Sequence, residues 1–291
     1  MMTTNKYRRL TILALMAFLP IISFGQEMLV GTYNIRNKNQ SDSINGEVWS
    51  KRCQVIGDLV NFMSPVIFGT QEVLHGQLKD MLNVLDGYDY IGVGRDDGVE
   101  KGEYAAIFYQ KKRLKLLDHG DFWLNETPDT PRLGWDAACI RICTWGKFVD
   151  TMTEREFYFF NLHMDHVGKV ARREGARLVV SKIRELAAGA PVILTGDFNV
   201  DQTDEIYRIF TESGILKDAY SCAKIRFAEN GTFNNFNPRM KTNSRIDHVF
   251  VSPITEVKAY GVLTDIYWSS MSDIHLPSDH YPVFVRIDLP L

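Results

Sequence analysis

Six short segments place residues suited to acid–base or metal chemistry where an apolar strand should end or begin. Five close a strand: Thr32-Tyr33-Asn34, Gln71-Glu72-Val73, Asn161-Leu162-His163-Met164-Asp165, Gly196-Asp197-Phe198-Asn199 and Ser278-Asp279-His280. The sixth, Arg245-Ile246-Asp247-His248, opens one. Burying a charge in such a place is costly unless the charge is paired or binds a metal. A single Asp or Asn after a strand is ordinarily a turn former or helix cap. Taken singly, Gly196 to Asn199 reads as a turn, Glu72 as a cap and His163 as a satisfied core histidine; the coincidence of six points to one shared site.

The pooled side chains are the carboxylates Glu72, Asp197, Asp247 and Asp279, the carboxamides Asn34 and Asn199, and the imidazoles His163 and His280. Carboxylate and carboxamide oxygens are hard ligands that suit Mg²⁺ or Mn²⁺, whereas a zinc site would show His-rich spacing. Neutral amides and protonatable imidazoles stabilise negative charge on phosphoryl oxygens, where carboxylates alone would repel it. In-line attack on a phosphoester needs an activated water, a cation and donors for the developing charge, and this set supplies each.

The elements that must carry these residues follow from periodicity. Met28 to Ile35 reads as a strand, Arg36 to Gly46 as a polar loop, and Trp49 to Met63 as an amphipathic helix with Val55, Ile56, Leu59, Val60 and Met63 at helical spacing, closed by Pro65. Val66 to Thr70, Tyr88 to Gly94, Tyr104 to Tyr109, Leu114 to Leu124, Glu156 to Asn161, Pro191 to Thr195, Ile246 to Ser252, Val257 to Val262 and Pro282 to Leu289 read as strands. Further helices are expected at His75 to Leu85, at Val170 to Ala188 with Arg172, Arg173, Lys182, Arg184 and Glu185 on its exposed face, and near Asp204 to Glu212. Hairpins mixed with β-helix-β units imply mixed sheets with helices outside.

With 291 residues, 45% of them apolar and 24% charged, the chain is neither disordered nor a small disulfide scaffold. Lys6, Arg8 and Arg9 precede the apolar run Leu10 to Ile22, and Ser23-Phe24-Gly25 offers small residues for cleavage, so residues 1–25 read as a secretory signal and 26–291 as one domain. The alternative, an uncleaved anchor, is disfavoured because the run is shorter than the ~20 apolar residues a span needs. A periplasmic or extracellular product, a monomer without stable membrane insertion, is expected. Net charge is −3, from 33 basic and 36 acidic residues. Removing the three basic residues of the signal leaves 30 against 36, a balance that discourages tight binding to nucleic acid. Cys53, Cys139, Cys143 and Cys222 allow three disulfide connectivities or remain buried thiols, and their spacing fits no zinc pattern.

In this order the segments resemble the endonuclease/exonuclease/phosphatase superfamily, of deoxyribonuclease-I-like fold, from about Leu29 to Val285. The resemblance implies a four-layer α/β sandwich, two mixed β-sheets packed face to face with helices outside, and a metal-dependent phosphoester hydrolase site at one rim. It implies Glu72 as principal metal ligand, with Asn34 beside it on metal or phosphate and Asp279 as second acidic group. Asp197 resembles the carboxylate that positions or deprotonates water, and Asn199 the amide that holds phosphate or nucleophile. His280 resembles the imidazole on a phosphoryl oxygen, Asp247 the carboxylate that orients it, and His163 the histidine on the scissile phosphate. Which imidazole acts as acid or base stays open.

The segments Gly92 to Gly98, Gly102 to Tyr104, Phe122 to Leu124 and Gly134 to Ala138 with Arg141 resemble a bacterial secreted branch of the superfamily. Arg95 and Arg141 can clamp a phosphate and Trp135 can stack on a ring or sugar; alternatively Arg95 pairs with Asp96 or Asp97 in a turn and Trp123 packs in the core. His166 near His163 and Asp165 imitates ligand spacing, yet Asp165 is expected to steady a loop or His163. The expected activity is Mg²⁺- or Mn²⁺-dependent hydrolysis of a small phosphorylated sugar, inositol, nucleotide or lipid head group. An extracellular nuclease is the alternative, and a catalytically silent carbohydrate- or protein-binding module the third reading.

Overall fold

The computed structural model describes residues 27–271 and 273–289, so the signal expected at 1–25 lies outside the described residues. Its strands are β1 (Met28–Asn34), β2 (Ile67–Gln71), β3 (Val73–Leu74), β4 (Tyr88–Ile91), β5 (Glu103–Tyr104), β6 (Ile107–Gln110), β7 (Leu114–Trp123), β8 (Ile142–Asp150), β9 (Arg155–His163), β10 (Val192–Asp197), β11 (Lys217–Asp218), β12 (Ile225–Phe227), β13 (Asp247–Val251), β14 (Glu256–Val262), β15 (Tyr267–Ser270), β16 (Asp273–His275) and β17 (Val283–Asp288). The helices are α1 (Gln40–Ile44), α2 (Trp49–Met63), α3 (His75–Val84), α4 (Lys169–Ala187), α5 (Glu205–Thr211) and α6 (Ala219–Cys222).

One sheet runs β12-β14-β17-β1-β2-β6-β4 and the other β11-β13-β10-β9-β8-β7. Each is centred on a parallel pair joined by a helical crossover, β1 to β2 through α1 and α2, and β9 to β10 through α4. Parallel strands need such crossovers because both must start from the same edge. Ile56 and Val60 of α2 and Leu78 and Met81 of α3 pack on Phe68 and Phe108 of the first sheet. Val179 and Ile183 of α4 pack on Phe160, Leu194 and Phe250 of the second. Val30, Ile67, Phe157, Phe159, Ile193 and Val249 fill the space between the sheets. The result is the expected four-layer sandwich.

Side chains two apart on a strand share a face, so the inter-sheet layer can be read along each central strand. It runs from Val30 through Thr32 to Asn34, from Ile67 through Gly69 to Gln71, from Phe159 through Asn161 to His163, and from Ile193 through Thr195 to Asp197. Apolar residues give way to small or neutral polar ones and then, at the strand ends, to amides (Asn34, Gln71) and ionisable groups (His163, Asp197). All four strands end at the same rim. β13 is antiparallel to β10, with Asp247 opposite Asp197, which is why its functional residue opens the strand instead of closing it.

The middle tier is a satisfied polar floor. Asn161 Nδ2 donates to the carbonyls of Thr70 (2.9 Å) and Ala106 (3.0 Å), and its Oδ1 accepts from Gln71 Nε2 (2.7 Å) and Thr195 Oγ1 (3.0 Å). The amide fits only because Gly69 lies opposite: a Cβ there would stand 2.1 Å from Asn161 Oδ1 and 2.6 Å from Thr195 Oγ1. Gly69→Ala is therefore expected to destabilise the fold by about 1–3 kcal/mol. At roughly 2–4 °C per kcal/mol for a domain of this size, the melting midpoint should fall by several degrees; a midpoint equal to the parent's would show that the floor can shift freely.

Several expectations need correction. Arg172 is buried, not exposed, because it sits on the first turn of α4 and reaches back to donate from NH1 to the Asp165 carbonyl at 2.9 Å. The strand expected from Tyr104 to Tyr109 is two, β5 pairing with β3 and β6 with β2 and β4. It breaks at Ala105 and Ala106, where the Ala106 carbonyl takes the Thr70 N–H at 2.8 Å as well as Asn161. The loop Arg36 to Gly46 contains α1, capped by Asn39 Oδ1 accepting from the Asp42 N–H at 2.8 Å. The four cysteines are free, Cys53 and Cys143 buried. Among the described residues no helix is long and apolar enough to cross a membrane.

Candidate active site

The strand ends meet in a cleft of about 750 Å³. Five non-glycine residues with left-handed backbone line it: Arg36 (φ 58°), Glu72 (63°), Asn199 (50°), Asn235 (52°) and Phe236 (54°). Such conformations cost about 1–3 kcal/mol each outside glycine and persist where the surroundings enforce them. At Glu72 the purpose is visible. Ile67, Gly69 and Gln71 face the second sheet, so an extended chain would send residue 72 to the helix side. The left-handed turn instead brings Glu72 Oε1 to 3.1 Å from Asn34 Nδ2.

Asn34 lies at the centre. Its Nδ2 donates to Glu72 Oε1 and to Asp197 Oδ2 (3.0 Å) and stands 3.5 Å from His280 Nε2, while its Oδ1 accepts the Arg36 N–H at 3.0 Å. Asp197 Oδ1 accepts the Asn199 N–H at 2.9 Å, and its Oδ2 lies 3.5 Å from His163 Nε2 and 3.7 Å from His280 Nε2. His280 Nδ1 lies 2.9 Å from Asp247 Oδ2. Arg36 NH1 approaches Asp279 Oδ2 (3.4 Å) and Glu72 Oε2 (3.8 Å), and its Nε donates to Asp42 at 2.8 Å. Glu72, Asp197, Asp247, Asp279, Asn34, Asn199, His163 and His280 are thus brought together.

Burial and charge set the protonation states. Burial lifts the Asp197 carboxyl to about 7, the negative Asp247 adding to the rise, while His280, the Asn199 N–H and Asn34 oppose it. Burial works against a charged His280, yet Asp247 and Asp197 together hold it well above the ordinary histidine value. His163 goes the other way: burial, then the nearby Arg141 and Arg95 guanidinium groups, push it well below that value, so its ring is neutral. Burial also raises Asp279, with Glu72 adding to the rise.

A second wall is cationic. Arg141 is 5% exposed; its Nε lies 3.6 Å from Asp165 Oδ2 and its NH2 3.1 Å from His166 Nδ1, but among the described residues its Nε and NH1, Arg95 Nε and His163 Nδ1, all buried, have no partner at hydrogen-bond geometry. Arg95 pairs with Glu103, and its Nε is 3.7 Å from Asp96, so the turn pairing considered from sequence is present while Arg95 also lines the cleft. Trp123 packs in the core with Ala105 and Ile142. Buried donors without acceptors are rare and call for a ligand, and a guanidinium pair beside a neutral imidazole suits phosphoryl oxygens.

The donor set fits a hard divalent cation. Glu72, Asp279 and Asn34 offer oxygen ligands at one pole, and Asp247 Oδ1 is buried without a partner. Asp197, Asp247 and His280 also have ligand atoms within 4.8 Å of one another. In that trio His280 Nδ1 already faces Asp247 at 2.9 Å, an arrangement that suits acid–base work. Asn34 as placed presents its amino group to both carboxylates, so ligation through Oδ1 requires the amide to turn. The Asp165 carboxylate does not build a metal site with Cys139 and His166, whose ligand atoms are also within 4.8 Å of it. Although burial works the other way, it accepts N–H bonds from Gly168, Val167, Ala138 and Cys139 that hold it at about 2, and it steadies the two loops.

Two expectations change. Trp135 is not among the residues lining the cleft; its backbone N–H donates to Glu126 Oε1 at 3.2 Å and its left-handed backbone (φ 48°) turns the segment. Asn199 Nδ2 donates to the Met164 carbonyl at 2.9 Å and its backbone N–H to Asp197, so the residue holds Asp197 through its backbone and one of its two amide hydrogens is already engaged. Sequence reading missed Arg36, Asn37, Asp42, Glu47, Glu103, Phe233, Asn235 and Phe236 as lining residues. The one available signal was position, since Arg36 and Asn37 directly follow Thr32-Tyr33-Asn34.

Residues 31–280 match the sequence profile described as Endonuclease/Exonuclease/phosphatase family. Among solved structures, a mannosyl-6-phosphatase of Bacteroides thetaiotaomicron VPI-5482 is 54% identical, with 90% of this chain and 100% of that chain covered and a TM-score of 0.88. An endonuclease/exonuclease/phosphatase from Bacteroides vulgatus is 39% identical, with 91% and 100% covered and a TM-score of 0.83. D. rerio TDP2 complexed with single-strand DNA product, 15% identical with 90% and 99% covered, shares the fold with a TM-score of 0.68.

Proposed function

The chain belongs to the endonuclease/exonuclease/phosphatase family, and on that premise we propose that it is an exported, divalent-metal-dependent phosphomonoesterase acting on a small phosphorylated sugar. The observation that carries this reading is the set of guanidinium donors on Arg95 and Arg141 that have no hydrogen-bond partner among the described residues, in the same cleft as His163 and the carboxylates Glu72, Asp197 and Asp279. A phosphate group bound with a divalent cation would satisfy both walls, the cation facing the carboxylates and the phosphoryl oxygens the guanidinium groups. The likeness to a mannosyl-6-phosphatase over 90% of the chain supports a sugar phosphate. The basic residues before Leu10 to Ile22 support export, and the acidic balance of the remainder supports a substrate other than nucleic acid.

Glu72, Asp279 and Asn34 would hold Mg²⁺ or Mn²⁺, which when bound supplies charge to the phosphoryl and leaving oxygens. The chain's own groups do the rest. Asp197, held by the Asn34 amide and the Asn199 N–H, orients the attacking water and accepts its proton. His280, kept protonated by Asp247, donates from Nε2 to a phosphoryl oxygen, and neutral His163 with the two arginines fixes the remaining oxygens.

The test is a phosphoester panel on the mature protein. Hexose 6-phosphates should be turned over faster than dinucleotides or plasmid DNA, and EDTA should abolish turnover until Mg²⁺ or Mn²⁺ is restored. Absence of any EDTA-sensitive turnover would leave the binding-module reading standing. Activity on DNA whose logarithm falls linearly with that of salt would favour the nuclease.

A further inference from the structure

We propose that Asn235 and Phe236 form the leaving-group subsite and select a carbohydrate, the sugar ring packing on Phe236 and a hydroxyl bonding the Asn235 carboxamide. This rests on the phosphomonoesterase reading above and assigns it a specificity element. The two residues are adjacent in sequence, and an extended chain would send their side chains to opposite faces. Left-handed backbone at both (φ 52° and 54°) lets both line the cleft. The buried neighbour Asn234 enforces that shape: its Oδ1 accepts the Phe236 N–H at 2.8 Å and its Nδ2 donates to the Ser278 carbonyl at 3.2 Å.

The same loop is fastened to the reacting segment. The Asn234 and Asn235 N–H groups both donate to the Asp279 carbonyl, at 2.7 and 3.1 Å. Phe233 bridges to His280, its ring edge-on to the imidazole at 5.1 Å. Whatever Asn235 and Phe236 hold is therefore fixed relative to Asp279 and His280. Arg52, fully buried, lies over the Phe236 ring 5.6 Å from its centroid and backs the aromatic wall.

The chemistry of the pair is neutral. A carboxamide offers donors and an acceptor without charge, and among the described residues no partner engages that of Asn235. An aromatic ring beside a few placed polar groups suits a small ligand with an apolar ring face and hydroxyl edges. In the segment 36–47, which also lines the cleft, Asp42 is paired with Arg36, Glu47 faces His275 and Asn37 bonds Glu103, so the wall there is largely charge-balanced and Asn45 adds a further neutral amide.

The experiment compares kcat/KM for mannose 6-phosphate with kcat/KM for acetyl phosphate, which has no ring and no hydroxyl, in the Mg²⁺-loaded protein. Asn235→Gly, which keeps the left-handed backbone, and Phe236→Leu should each lower the ratio about tenfold, the scale of one hydrogen bond or one ring contact. Phe236→Tyr should retain most of it. Equal losses on both substrates, or an unchanged ratio, would overturn the subsite. A parent that hydrolyses acetyl phosphate but not mannose 6-phosphate overturns it too and leaves the phosphomonoesterase reading intact; a parent that hydrolyses neither overturns both.

Discussion

Asp197→Asn is expected to lower kcat at least about a hundredfold, within the usual range for an acid–base group, while leaving the cation-free protein at pH 8 as stable as the parent or more so. The two halves have one cause. Burial and the neighbouring Asp247 lift the Asp197 carboxyl to about 7. An acid raised in the folded state contributes stability that is fully present below its unfolded value and lost as pH rises through the folded one. At pH 8 the ionised carboxylate is thus a liability to the fold, and asparagine, of the same shape, does not ionise. Melting in EDTA at pH 5 and pH 8 should show the parent losing more stability across that interval than the variant. Turnover on a sugar phosphate should collapse in the variant under conditions where it remains folded. Loss of activity and stability together would make Asp197 a structural residue and move the water-activating role elsewhere.

The reason Asp197 was legible before any coordinates lies in the strand period. A run such as Val192 to Thr195 announces a buried strand, and a carboxylate immediately after it conflicts with burial. The same conflict exposed Asn34, Glu72, His163 and Asp279, and the antiparallel turn of β13 exposed Asp247 from the opposite direction. The walls of the cleft carried no such conflict. Asn235 and Phe236 lie in a stretch of Asn, Pro and Gly residues that reads as loop; the Asx turn at Asn234 is local, but the bonds from Asn234 and Asn235 to the Ser278 and Asp279 carbonyls that place it at the cleft are tertiary. β8 was not anticipated because its apolar residues, Ile142, Cys143, Phe148 and Val149, are split by Gly146 and Lys147, and α1 is too short for a hydrophobic period. The stacking capacity of Trp135 is a property of its ring, and ring chemistry does not tell a turn residue from a cleft residue.

His280→Ala should cost at least about a hundredfold in turnover, and Asp247→Asn should separate charge from shape at the same place. Burial is the largest influence on the His280 ring and works against its charge, yet Asp247 at 2.9 Å and Asp197 at 3.7 Å reverse the balance. A histidine raised in the folded state keeps its proton through neutral pH, so Nε2 remains a donor to a phosphoryl oxygen until pH passes the elevated value. The His280 proton should therefore set the alkaline limb of activity, while protonation of Asp197, lifted to about 7, sets the acid limb. Asp247→Asn removes the nearest carboxylate, lets burial prevail, and should shift the alkaline limb of kcat/KM to lower pH while reducing the plateau about a hundredfold or more, as loss of an orienting partner does. Asp279→Asn should move that limb less, because Asp279 pairs with Arg36 at 3.4 Å and raises His280 less than Asp247 or Asp197 does. An Asp247→Asn profile that superimposes on the parent's after scaling would mean that Asp247 merely fills space, and that the proton on His280 is held by Asp197 alone.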